Sequence, residues 1–220
     1  LWLSVLLPTL TCLSGLFILL LPEQGMGAIV SLYALQIPLI CVVELLIHRE
    51  VATIKDRIVD AVFGVFYLPF VHTLGFYIYW KYGWPYALLA VTSTWIFDSM
   101  AFFVGIRYGK HPLMPTISPK KTVEGSIGGL VGGFFGLWLV IRLLELFWKQ
   151  PIFTLWQIGL LSIGLWMSAT FGDLFESALK RSYALKDIGK ILPGHGGWLD
   201  RIDSMVFFIP TFALLLVFFK

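Results

Sequence analysis

At 220 residues, 58% hydrophobic and only 13% charged, the chain carries more apolar surface than a water-soluble domain of its size can hide. A mean hydropathy of +0.86 excludes a soluble globular enzyme, a nucleic-acid-binding domain and a disordered chain, whatever the net charge of +3. What is left is an integral membrane protein.

A bilayer-crossing helix needs about 20 mostly apolar residues. In chain order the candidate spans are Leu1–Leu21, Met26–Ile47, Ile58–Trp80, Trp84–Ile106, Ile127–Trp148, Ile152–Phe171 and the short Ser204–Phe219. The expected fold class is therefore all-α, a polytopic membrane protein with about seven transmembrane helices. Leu1 opens straight into an apolar run without an initiating Met, so residues are expected to be missing ahead of it, a cleaved leader being the alternative. Cys12 and Cys41 both lie in apolar runs and read as lipid-facing or packing thiols rather than a disulfide framework. Gly125, Gly129 and Gly133 recur at every fourth position, as do Gly128, Gly132 and Gly136. That is a small-residue face for close helix packing, serving contacts within the chain or a homodimer equally well.

Lys and Arg set the orientation. Loops His48–Arg57, Arg107–Ser126 and Ser177–Asp203 hold Arg49, Lys55, Arg57, Arg107, Lys110, Lys120, Lys121, Lys180, Arg181, Lys186, Lys190 and Arg201. The opposite side has only Lys81, Lys149 and Lys220, with Arg142 inside a span. The three long loops are thus expected on the cytoplasmic face. Most carboxylates lie toward the same face. Asp98 is eight residues before Ile106, which sets it about 12 Å into its helix. An ionisable group there costs a few kcal/mol unless paired, hydrated or metal-bound. With Asp173 at the inner end of another span, it suggests a cation pocket at the cytoplasmic boundary. Asp60 reads as a partner for a helix N-terminus, and His48, His72 and His111 read as isolated.

The segment from Ser177 to Asp203 carries the densest chemistry. Lys180, Arg181, Lys186, Lys190 and Arg201 are enough cations to hold several phosphate charges. Pro193-Gly194-His195-Gly196-Gly197 is a turn whose glycines let backbone N–H groups approach an anion. Asp200 and Asp203, three apart, share a face if a helix begins there and can offer oxygens to a metal. Cations for phosphates beside carboxylates for Mg²⁺ is the make-up of a phosphoryl or nucleotidyl transferase.

This run resembles the signature of the CTP:phosphatidate cytidylyltransferase family, the CDP-diacylglycerol synthases. The match comprises Ser177, Lys180-Arg181, Lys186-Asp187, Pro193, His195-Gly196-Gly197 and Asp200-Arg201-Ile202-Asp203. Upstream, Trp95…Asp98…Ala101, Gly109-Lys110, Ser118-Pro119-Lys120-Lys121-Thr122-x-Glu124-Gly125 and Gly172-Asp173-Leu174-x-Glu176-Ser177 also look like the family's. The likeness runs from about residue 92 to the end, and the preceding part is generic membrane sequence.

The resemblance implies transfer of CMP from CTP to phosphatidate, giving CDP-diacylglycerol and pyrophosphate. It implies Mg²⁺, with room for a second cation, on Asp173 and Asp200, with Asp98 and Asp203 as supporting ligands. Lys180, Arg181 and Arg201 would hold CTP or lipid phosphate. Ser118, Lys120, Lys121, Lys186, His195, Gly196 and Gly197 would line the substrates, His195 having no proton-transfer role assigned. Residues 1–90 then form an N-terminal group of transmembrane helices, and 91–220 a catalytic transmembrane region with cytoplasmic loops 107–126 and 177–203. The expected partners are CTP, phosphatidate and the lipid bilayer of an inner or plasma membrane, with no nucleic acid. Alternatives are a CTP-dependent lipid kinase, an ether-lipid cytidylyltransferase or, least favoured, an ion-coupled transporter using Asp98 and Asp173.

Overall fold

The computed structural model describes residues 25–47, 51–67, 69–182 and 199–220, with side chains at 25–29, 32, 47, 51, 65 and 199–203 excepted. In order these form α1 (Gly25–Ile47), α2 (Val51–Tyr67), α3 (Pro69–Tyr82), α4 (Trp84–Tyr108), β1 (Pro112–Met114), β2 (Ser118–Thr122), α5 (Val123–Trp148), α6 (Leu155–Ser182) and α7 (Leu199–Phe219). Among the described residues, four helical stretches are long and apolar enough to cross a membrane: Ala52–Tyr82, Trp84–Tyr108, Val123–Trp148 and Leu155–Ser182. Two shorter apolar helices, Tyr33–Leu46 and Ser204–Phe219, accompany them, and the expected span Leu1–Leu21 lies outside the described residues. The chain divides into two compact units, residues 1–87 and 88–220.

In the first unit, buried Tyr33 and Ile40 of α1 pack on Ile58, Ala61, Val62, Phe76 and Tyr77. The Tyr33 hydroxyl meets Thr73 Oγ1 at 2.9 Å, so the polar end of this ring is satisfied inside an apolar contact. Two expectations need correcting. The segment expected as loop through Arg57 is helical from Val51, because Arg57 Nε donates to Glu44 Oε2 of α1 at 2.9 Å and draws the chain into register. Asp60 therefore stands well inside α2 rather than at a helix start. The expected span Ile58–Trp80 falls within the membrane-length helical stretch Ala52–Tyr82. Gly83, at φ 95°, closes α3 with its N–H on the Tyr79 carbonyl.

The second unit is a four-helix bundle of antiparallel neighbours. Both glycine rows of α5 face α4. A Cβ on Gly129 would lie 3.0 Å from Ala101 Cβ, and Cβ atoms on Gly128, Gly132, Gly133 and Gly136 would run into Val104, Met100, Phe97 and Ile96. The stripe is filled from within the chain and offers no argument for a second copy. Between α5 and α6, Trp166 Nε1 donates to the Ser126 carbonyl at 2.8 Å. Between α6 and α7, Ser168 Oγ meets Thr211 Oγ1 at 2.7 Å, and Gly172 lies against Phe207 and Ser204. The rings of Phe97 and Phe208, 6.1 Å apart, join α4 to α7. Around them Leu137, Ile141, Ile158, Leu161, Leu165 and Phe212 form the core, while Phe102, Phe135 and Phe147 face outward, as in a lipid solvent.

One end of this bundle carries few charges and the other many. At the sparsely charged end Glu145 ties the α5–α6 connection, accepting from Ile152 N at 2.8 Å and from Arg142 Nη1 at 2.6 Å. At the charged end the stretch expected as loop 107–126 contains an antiparallel ribbon, Pro112 opposite Thr122 and Met114 opposite Ser118, a small β element among described residues that are mostly helical. Likewise the expected loop from Ser177 is helical to Ser182 and again from Leu199. Ala178, Leu179, Lys180 and Arg181 are strong helix formers, and a Glu176–Lys180 pair one turn apart supports the extension.

The backbone contact between α4 and α5 predicts a graded response to alanine. A Cβ at Gly125 would lie 2.9 Å from the Ala101 carbonyl and 3.0 Å from Gly105 Cα, whereas one at Gly159 meets nothing within 4 Å. Gly125→Ala should destabilise by about 1–3 kcal/mol, read as a lower midpoint of thermal unfolding in detergent. Gly159→Ala should leave that midpoint unchanged or raise it.

Candidate active site

The charged end is built on the turn that starts α5. Thr122 caps that helix, its hydroxyl accepting from Gly125 N at 3.1 Å. Glu124, in the first turn, accepts from the backbone N–H groups of Lys110 at 3.0 Å and His111 at 3.1 Å. Its other oxygen lies 2.5 Å from His111 Nδ1. His111, read as isolated from sequence, is thus paired. The Val123 N–H donates to the His111 carbonyl at 2.9 Å, so both ends of the ribbon are fastened at one point. Gly109 completes it, because a Cβ there would strike Thr122 at 2.7 Å.

From this base the pleat decides where the lysines go, since successive side chains on a strand leave opposite faces. Lys120 is exposed, and Lys121 turns inward to an ion pair with Asp173 of α6. The two lysines, expected to act together, are therefore separated: one meets solvent and the other a carboxylate. One turn along α6, Glu176 is fully buried and its Oε2 lies 2.6 Å from Lys180 Nζ. Lys180 enters the site with part of its charge already committed, and Arg181 beside it is exposed. Ser118 is half-buried at the start of β2.

Helix register locates the remaining candidates. Contacts pair Gly164 with Leu215, Ser168 with Thr211 and Gly172 with Phe207. Continued at the same spacing, positions 203 and 200 of α7 fall level with Glu176 and Leu179. The helix does begin at Leu199, so Asp200 and Asp203 occupy its first turn; their side chains and that of Arg201 lie outside the described residues, as do Lys186, His195, Gly196 and Gly197. Asp98 is not brought beside Asp173. Gly105 packs at the level of Thr122 and Gly125, and Asp98 is seven residues deeper along α4, roughly 10 Å by helical rise.

Among the described residues no three His, Cys, Asp or Glu side chains cluster. The donor chemistry nevertheless fits a hard divalent cation. Asp173 is half-exposed and already draws a positive charge, and acidic positions 203 and 200 of the adjoining helix fall three and six residues past its level, roughly 4.5 and 9 Å by helical rise. Carboxylate oxygens of this kind suit Mg²⁺. Sequence reasoning missed the Glu124 clamp and the burial of Glu176. The second had a legible signal in the Glu176/Lys180 spacing, and the first pairs residues on either side of a ribbon that the sequence reading left as loop.

Comparison with known proteins adds a second line. The chain matches the cytidylyltransferase family over residues 3–219. It is 35% identical over 215 residues to a phosphatidate cytidylyltransferase of Staphylococcus saprophyticus, covering 96% of this chain and 80% of that protein. A Staphylococcus haemolyticus protein of the same name is 36% identical over 205 residues, covering 92% and 76%. The Thermotoga maritima protein of that name is 35% identical over 178 residues, covering 77% of this chain and 63% of that one.

The buried pair on α6 yields a prediction about stability rather than chemistry. Lys180→Met strips Glu176 of the ammonium beside it and should cost about 3–5 kcal/mol. The double variant Glu176→Gln with Lys180→Met should recover much of that loss, both read from unfolding midpoints in detergent.

Proposed function

This chain belongs to the cytidylyltransferase family, and on that premise we propose that it transfers CMP from CTP to phosphatidate, giving CDP-diacylglycerol and pyrophosphate. It is a multi-pass membrane nucleotidyltransferase of phospholipid biosynthesis. At the level of residues, the observation that carries the reading is the meeting of Asp173 with a lysine from the ribbon, one turn from Glu176 and Lys180.

The chemistry asks little of a general base. The phosphomonoester of phosphatidate has a second pKa near ~6 and is largely a dianion at neutral pH. One of its oxygens attacks the α-phosphorus of CTP, the bond from that phosphorus to the β-phosphate bridge breaks, and the electron pair leaves with pyrophosphate. The barrier lies in bringing two polyanions together, so the protein's task is charge neutralisation and alignment. Asp173 and Asp200 would hold Mg²⁺, with Asp98 and Asp203 supporting it or a second cation. That metal, when bound, supplies Lewis-acid neutralisation of phosphate charge. Lys120, Lys121, Lys180, Arg181, Lys186 and Arg201 hold phosphate oxygens, with Ser118, His195, Gly196 and Gly197 lining the substrates. Asp98, the deepest of the acidic candidates, has the weakest claim to the metal.

The charged end faces the cytoplasm in this reading, supported by the excess of Lys and Arg in its connections. CTP then enters from water and phosphatidate from the surrounding leaflet. A cysteine placed at exposed Lys110, in a background with Cys12 and Cys41 replaced, should react with a membrane-impermeant maleimide in inverted vesicles. Reaction in intact spheroplasts instead would reverse the orientation.

Transfer itself is read by extracting lipid after incubation with phosphatidate, Mg²⁺ and CTP labelled at the α- or γ-phosphate. Label should reach the lipid from the α-position only and vanish with chelator; label from the γ-position would mean a lipid kinase. Asp173→Asn should fall below a tenth of wild-type transfer while remaining folded, and higher activity would remove Asp173 from the metal.

A further inference from the structure

Two acid–lysine pairs stand one turn apart on α6, and they differ in a way that gives them different jobs. Glu176 is 0% exposed and Lys180 15%, both on the same helix. Asp173 is 37% exposed and Lys121, which comes from β2, 22%. The first pair is enclosed; the second joins two elements and is open on the carboxylate side. Lys121 Nζ is itself buried, and among the described residues its ion-pair partner is Asp173 alone.

We propose that Lys121 is an exchangeable counter-cation for Asp173: its ammonium occupies the carboxylate until a divalent cation arrives, and then turns to a substrate phosphate. This rests on the reading of Asp173 as a metal ligand. An ammonium and a divalent cation at one carboxylate repel each other, so each weakens the other's binding. An ammonium has three donors and this one meets one carboxylate, so it keeps capacity for phosphate oxygens. The exchange needs no movement of the ribbon. Lys121 adjoins the capping residue Thr122, and the Glu124 clamp fixes both ribbon ends. Only a flexible four-carbon side chain swings.

The arrangement also makes occupancy conditional. Metal bound without nucleotide leaves the Lys121 ammonium displaced and facing a cation. Metal bound with CTP gives it a phosphate, so the two ligands should favour each other's binding through this one residue.

The test is Mn²⁺ binding to the purified, nucleotide-free chain in detergent, followed by loss of the free-ion electron paramagnetic resonance signal. Lys121→Met should bind Mn²⁺ roughly fivefold or more tightly than wild type, because the competing charge is gone. Lys121→Arg, which keeps the charge, should stay near wild type. With saturating metal, Lys121→Met should raise KM for CTP more than it lowers kcat. Equal or weaker Mn²⁺ binding by Lys121→Met overturns the proposal. If Asp173→Asn nevertheless weakens binding, the metal-ligand reading survives that outcome. Unchanged binding in Asp173→Asn removes the ligand reading and the proposal with it, and so does the absence of any Mn²⁺ binding by wild type and Lys121→Met alike.

Discussion

The nearness of α4 to α5 governs the charged end of the second unit. Gly125 lies against the Ala101 carbonyl and the Gly105 backbone, and Gly109 against Thr122. At Gly125 the two backbones meet, and beside them the side chain of Thr122 fills the space against Gly105 and Gly109, so the place where α5 begins is set by these close contacts. In lipid no water is expelled to drive such an approach, and close van der Waals contact has to supply the attraction. From that fixed point the cap at Thr122, the Glu124 clamp and the inward turn of Lys121 follow in sequence.

The charges of the second unit obey a related discipline. Arg142 meets Glu145 at the sparsely charged end, and Lys180 meets Glu176 and Lys121 meets Asp173 at the other. Each pair sits within or just beyond a membrane-length helix, where an isolated ion is expensive. The pairs are nonetheless unequal. Enclosed pairs are scaffold, since losing one partner strands the other, while a pair with an open side can exchange its members. On the proposed reading, a site that binds polyanions and a metal would use both kinds side by side.

Much of this was legible in the residues. The apolar runs marked α1, α4, α5 and α7 to within five residues and the start of α6 to within three, and the two glycine rows announced a close helix face whose partner turned out to be α4. The Asp200/Asp203 spacing allowed a helix there but did not establish it, and the helix begins at Leu199, inside the stretch expected as loop. Charge density misled elsewhere. Lys and Arg from residue 177 onward suggested a loop, yet α6 runs on to Ser182 because the same residues are good helix formers. Pairing between distant segments was out of reach: neither Lys121 with Asp173 nor His111 with Glu124 has a local spacing that reveals it. Nor could the sequence say that adjacent Lys120 and Lys121 face apart, which follows only once residues 118–122 are a strand.

Of the membrane-length helices in the second unit, α6 is the least apolar and the most enclosed. It carries Ser162, Ser168 and Thr170 along its middle and gives the Trp166 N–H to α5 and the Ser168 hydroxyl to α7. A helix of that make-up is a poor solitary resident of lipid. During biogenesis it would enter the bilayer as a companion, held by α5 already in place and completed when α7 arrives. In the proposed site the acidic positions that open α7 would join Asp173 only after α7 has been inserted, so a chain stopped short of α7 has no finished site with which to act on lipid.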